Sequence, residues 1–161
     1  MTLASEQLAR LGLALPPVPA PVAAYVPAVR VADFVFTSGQ VPMVDGQLRA
    51  AGLVGAEVDP EEAYACARVA ALNGLAAVAE VAGGVDMIAR IVKMVVYVAA
   101  APGFAGHPQV ANGASDVLGE IFGGAGEHAR SAVGVASLPL GAPVEVELVV
   151  TVGAHPTIQP L

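Results

Sequence analysis

Residues 127–152, EHARSAVGVASLPLGAPVEVELVVTV, hold the side chains best suited to chemistry in a chain of which only 13% is charged. Arg130 follows His128 at the start of one apolar run, and Glu145 and Glu147 alternate with valines in a second. A guanidinium binds a carboxylate through two parallel hydrogen bonds, a fit no other side chain offers. A glutamate in apolar surroundings keeps its proton to higher pH and can then handle protons or water. Arg130 thus reads either as the clamp of a small carboxylate or as half of a structural salt bridge. The glutamates read either as site groups or as exposed strand charges.

Geometry constrains the first option. Val144, Val146, Leu148 and Val150 share one face of the second run, and Glu145 and Glu147 share the other. If the two runs form a hairpin turning near Pro139 and Leu140, Arg130 falls opposite Val149 or Val150, and Glu145 opposite Gly134 or Val135. Five residue steps, about 17 Å at ~3.4 Å each, then separate them. Either the turn distorts that register or the two act together across a subunit boundary; the second is the expectation.

Thr37-Ser38-Gly39-Gln40 is another candidate, because it ends an apolar strand where backbone N–H groups become free and a glycine admits close approach. A plain polar turn is the alternative. Other constellations fail on spacing. No P-loop lysine is present, and no GxGxxG opens a helix after a strand. His107, His128 and His155 stand in separate loops without helical i, i+4 spacing, so surface histidines and no metal are expected. Ser131, His128 and Asp116 could be written as a hydrolase triad, but no nucleophile elbow accompanies them. Cys66 stands alone, which excludes an intrachain disulfide and a multi-cysteine zinc site. No cofactor is implied.

The elements that must position these groups follow from pattern. Residues 4–11 read as a short amphipathic helix with Ser5 as N-cap, followed by a proline-rich extended arm to Pro27. Residues 29–41 alternate as a strand, with Phe34 and Phe36 opposite Val35. Asp45-Gly46 marks a hairpin. Asp59-Pro60-Glu61-Glu62 starts a helix that runs to about Val81 and stops at Gly83-Gly84. Residues 87–100 read as a buried strand and 108–122 as a second helix. This order implies an α+β domain spanning residues 1–161: a mixed sheet with both helices on one face and an apolar opposite face suited to a neighbouring chain.

Composition excludes several functions. The chain is 56% hydrophobic but only 4% aromatic, so its core must rest on Ala and Val packed closely. The apolar run at 85–101 is cut by Asp86, Arg90 and Lys93, and Glu6 and Arg10 interrupt any signal-peptide core. No membrane partner is expected, and a cytoplasmic location is. Net charge −7 with scattered basic residues argues against nucleic acid.

With these residues in view, the chain resembles the Rid family (reactive intermediate deaminases, also called the YjgF or endoribonuclease L-PSP family). The resemblance runs from Tyr25 and rests on YVPAVRVADFVFTSGQVP, VKMVVYVA and above all ARSAVGVASLPLGAPVEVELVV. It implies a chorismate mutase-like fold, a homotrimer with clefts between subunits, and hydrolysis of 2-imino acids to 2-keto acids and ammonia. By position, the resemblance makes Arg130 the carboxylate clamp and Glu145 the residue that positions water. It places Tyr25, Ser38 and Gly39 around the substrate, with Asn112 as the cleft asparagine. Ala132 stands where many members have cysteine, so no thiol chemistry is implied. The N-terminal arm marks a distinct branch. A non-catalytic binding protein for keto or amino acids is the alternative function, and an endoribonuclease the weaker one.

Overall fold

The computed structural model describes residues 2–18 and 24–153; part of the proline-rich arm and His155 lie outside the described residues. The chain forms α1 (Ala4–Arg10), β1 (Ala28–Val31), β2 (Phe34–Thr37), a small hairpin of β3 (Met43–Val44) and β4 (Gln47–Leu48), and then α2 (Pro60–Ala82). β5 (Ile88–Ala99), α3 (His107–Phe122), β6 (Ala129–Val135) and β7 (Val144–Val152) complete it. Five strands make one sheet in the order β1-β2-β7-β5-β6, with β5 and β6 parallel and the other pairs antiparallel. Both long helices pack on one face of this sheet.

Local chemistry sets the helix limits. The Asp59 side chain accepts from Glu62 N at 2.8 Å, Pro60 fills the first turn, and Gly83 ends α2 at φ +89°, a conformation that strains any side chain. The turn at Asp45-Gly46 has φ of +50° and +79°, as a tight hairpin with right-handed strand twist requires. α1 differs at its start: Leu3 is the N-cap, while Ser5 uses its N–H and hydroxyl to hold the Asp86 carboxylate.

Two strand expectations are corrected. Residues 29–41 do not run as one strand; the chain reverses at Ala32, φ +52°, so that Val29 pairs with Phe36 and Arg30 with Val35. The parity of Phe34, Val35 and Phe36 is as expected, with Val35 buried and both phenylalanines exposed. The second correction concerns β6 and β7, which are not a hairpin. β5 lies between them, because α3 carries the chain back to lay β6 parallel to β5. Burial explains the order. β5 and β7 bury Ile91, Met94, Val96, Val98, Val146, Leu148 and Val150 and take the centre, whereas β6, with Arg130, Ser131 and Gly134, is largely exposed and takes the edge.

Small residues let the helices close in, as an Ala- and Val-rich core demands. α2 presents Ala63, Ala67, Ala70, Ala71 and Ala77, and at Gly74 it meets Leu148 of β7. By length and composition α2 could cross a membrane, but here its apolar face is buried under the sheet and α3. α2 and α3 touch most closely at Gly113, where a Cβ would lie 2.0 Å from the Tyr64 carbonyl oxygen. Backbone cannot yield there, so Gly113→Ala is expected to destabilise the fold by about 3 kcal/mol. Gly119→Ala, in the same helix but facing open space, should instead stabilise by about 0.5–1 kcal/mol. Urea denaturation midpoints at constant m-value check both.

Among the described residues, no helix covers the opposite face of the sheet. Val29, Val31, Phe34 and Phe36 lie there 42–59% exposed, with Tyr97, Val133, Glu145 and Glu147 towards the other edge.

Candidate functional site

Arg130 sits on the helix-facing side of the edge strand, level with Met94, and reaches α3. Its Nη1 donates to Asn112 Oδ1 at 2.8 Å and to Ser115 Oγ at 3.0 Å. Both acceptors are neutral, so they fix the guanidinium without neutralising it. Ion pairs among the described residues are Arg49–Glu62 and Arg68–Glu120; Arg130 has no carboxylate partner there. The structural salt-bridge reading of Arg130 therefore finds no support among the described residues.

Glu145 lies on the other face, level with Tyr97 of β5. Its carboxylate packs against Gly39, where any Cβ would overlap it. Burial, and then the nearby Glu147 charge, push its carboxyl above the usual range. Glu147 accepts a hydrogen bond from the Tyr97 hydroxyl at 3.2 Å, and burial followed by that carboxylate raises the Tyr97 phenol. One partly desolvated carboxyl thus stands beside a second that is already hydrogen-bonded.

Within one chain Arg130 and Glu145 do not meet. They are three residue steps and two strand spacings apart, about 14 Å by strand geometry, and they point to opposite faces. The hairpin register behind the 17 Å expectation is wrong, yet the conclusion that one small ligand cannot touch both in a single chain survives.

The Thr37–Gln40 segment is more self-contained than expected. Ser38 N donates to Pro27 O at 2.8 Å and its hydroxyl to Val26 O at 2.7 Å, while Gln40 exchanges backbone bonds with Val146. The Ser38 N–H is thus taken up by the segment before β1, which folds back on it, and the Gln40 N–H by β7. Thr37 Oγ1 accepts from Leu148 N. Ser38 therefore anchors the segment that presents Tyr25, and Gly39 is the member of the tetrapeptide held against Glu145. Tyr25, 58% exposed, and Gly39 line a cavity of ≈ 520 Å³ closed by Pro16–Val18 of the arm, the β3–β4 turn and Asn73. Asn73 Nδ2 holds that hairpin through Val41 O and Met43 O at 3.0 and 3.2 Å.

Ser115 beside Arg130 escaped the sequence reading, and so did the bonded state of His128. Ser115 is bonded to both Arg130 and His128, and the His128 ring is half-buried between Ser115 Oγ and Gly126 O, so it is not a surface histidine. A serine inside a helix carries no signal until the sheet brings an arginine to it. The triad of Ser131, His128 and Asp116 does not assemble: His128 bonds Ser115, and Asp116 accepts from the Tyr64 hydroxyl at 2.8 Å. Cys66 is fully buried, and burial followed by the Glu62 charge pushes its thiol up to about 11, which leaves it unreactive. Among the described residues no three His, Cys, Asp or Glu side chains cluster as a metal site.

Comparison with known proteins places this arrangement. The model of the "YjgF/chorismate mutase-like, putative endoribonuclease" family matches residues 5–152. Protein TCP17 of Trypanosoma cruzi is 42% identical over 147 residues, 91% of this chain and 92% of that protein. A "putative endoribonuclease" of Shewanella oneidensis superposes with TM-score 0.90 at 33% identity, over 94% of this chain and all of the other. E. coli TdcF with bound serine superposes with TM-score 0.61 at 25% identity, covering 84% of this chain and 94% of its own. With its α+β architecture and its ARSAVGVASLPLGAPVEVE block, the chain belongs to the YjgF/chorismate mutase-like, or Rid, family.

Proposed function

We propose that this protein hydrolyses reactive 2-imino acids to 2-keto acids and ammonia in clefts between the subunits of a homotrimer. The observation that carries the proposal is an arginine held by two neutral partners with, among the described residues, no carboxylate paired to it. Such a group suits a small carboxylate. The bound serine of the E. coli relative supports an amino-acid-like ligand. The exposed apolar sheet face supports self-association, and assembly answers the separation of Arg130 from Glu145 by letting one copy supply each.

In this reading Arg130 holds the substrate carboxylate, with Asn112 as its partner. Tyr25, Ser38 and Gly39 of a neighbouring copy form the opposite wall. Water, oriented by Glu145, adds to the imine carbon; the carboxylate accepts a proton from the water and returns it to nitrogen. The hydroxyl of the tetrahedral carbinolamine then gives its proton to the nitrogen by way of the same carboxylate as the C–N bond breaks, which releases ammonia and leaves the keto acid. Imines hydrolyse unaided, so orientation and proton supply are what the site adds. A carboxyl raised above the usual range by burial and by Glu147 holds a proton more readily than an ordinary one, which suits the proton-transfer steps. Net charge −7 places nucleic acid outside this reading.

The test is to generate 2-iminopropanoate or 2-iminobutanoate in situ and follow keto-acid release. Acceleration over buffer is expected. No acceleration, with pyruvate still bound in an Arg130-dependent manner, would replace catalysis with ligand binding.

A further inference from the structure

The Arg130 guanidinium is oriented as well as anchored. Nη1 has two hydrogens and two acceptors, Asn112 Oδ1 and Ser115 Oγ, so it is fully committed. Among the described residues nothing accepts from Nε or Nη2 of Arg130. The edge left open is the Nε–H/Nη2–H fork, one of the two geometries in which arginine takes a carboxylate with two bonds.

Ser115 can hold that orientation only if its own hydroxyl proton is directed elsewhere. His128 supplies the direction. Gly126 O is a carbonyl and can only accept, so Nδ1 of His128 must carry the proton. In the neutral ring Nε2 is then bare, and it accepts the Ser115 hydroxyl proton at 3.1 Å. The Ser115 lone pairs turn towards Nη1 as a result. The backbone of the short turn after α3 thereby sets the imidazole, the imidazole sets the hydroxyl, and the hydroxyl sets the arginine.

We infer that Ser115 and His128 are positioning residues that present the Nε/Nη2 edge of Arg130 to the ligand carboxylate. This rests on the reading of Arg130 as a carboxylate clamp. Neither residue touches the ligand; both act through the arginine.

Calorimetric titration of the full-length protein with pyruvate tests it. Ser115→Ala is expected to weaken binding about tenfold, and His128→Phe about three- to tenfold. His128→Gln, whose amide oxygen can accept where Nε2 does, should restore most of the loss. Because His128 works only through Ser115, the double variant Ser115→Ala/His128→Phe should bind no more weakly than Ser115→Ala alone. Independent local disturbances at the two positions would instead give additive losses, and a purely structural role would move the melting temperature without the rescue of pyruvate affinity by His128→Gln. If Ser115→Ala does not fold, as judged by circular dichroism, the His128→Phe and His128→Gln pair carries the test unaided. Arg130→Ala separates the two levels. If it binds pyruvate like wild type, the clamp reading fails. If it loses binding while the Ser115 and His128 variants match wild type, or if the losses simply add, the positioning inference alone is overturned.

Discussion

Arg130→Ala is expected to lower kcat/KM for keto-acid release by about a hundredfold, roughly 2.7 kcal/mol of transition-state stabilisation. Two charge-assisted hydrogen bonds to one carboxylate account for a loss of that size, since each is worth about 1.5–3 kcal/mol and part is recovered from water. The carboxylate is held in both the ground state and the transition state, so most of the effect should fall on KM. Arg130→Lys should recover little. It restores a point charge but no planar fork, and a single ammonium cannot bond Asn112 and Ser115 while keeping two parallel donors for the ligand. Folding is a separate matter. The side chain is exposed on an edge strand, so losing its two bonds to α3 should cost about 1 kcal/mol of stability, a few degrees in Tm. A hundredfold kinetic loss with a nearly unchanged melting curve is the expected pairing. Wild-type kinetics in Arg130→Ala would sink the clamp.

The sequence announces what depends on adjacent residues and conceals what depends on distant ones. Asp59, Pro60 and Gly83 delimit α2 because capping is settled within four residues of each helix end. Asp45-Gly46 gives its hairpin for the same reason, and Phe34-Val35-Phe36 gives its faces because parity is intrinsic to a strand. Strand order is not local. That β7 pairs with β2 and β5 while β6 pairs with β5 alone is decided by which strands bring the most apolar side chains under the helices, and no stretch of chain holds that comparison. The reversal at Ala32 lacks the usual glycine or asparagine, so its left-handed backbone gave no warning. The site divides in the same way. Arg130 and Glu145 stand out as charges in apolar runs, and the family resemblance points to Tyr25, Ser38, Gly39 and Asn112. Ser115 and the bonded state of His128 emerge only when β6 is laid beside β5 and brought under α3.

Mixing two crippled variants should restore what neither has alone. At substrate concentrations well below the wild-type KM, Arg130→Ala and Glu145→Gln are each expected to be nearly inactive as pure proteins. If each cleft takes Arg130 from one copy and Glu145 from the next, random co-assembly at equal amounts leaves roughly a quarter of the clefts with both wild-type groups, because each must come from the right parent. Activity near that fraction of wild type is therefore expected after co-expression, or after mixing with subunit exchange. A site confined to one chain would give none, since no chain in the mixture carries both residues. The geometry favours the shared site: Arg130 points to the helix side at the sheet edge, and Glu145 points to the open face two strands away. Assembly itself can be broken in the same experiment. Phe34 and Phe36 stand exposed with ring centroids 6.3 Å apart, and Phe36→Asp would place a charge in the middle of that patch. A desolvated unpaired carboxylate at an interface costs several kcal/mol, enough to dissociate a small oligomer. Phe36→Asp should run as a folded monomer by light scattering and lose keto-acid release, although the residue lies on a different strand from Arg130 and Glu145. A monomeric Phe36→Asp with full activity would refute the shared cleft as firmly as a failed complementation would.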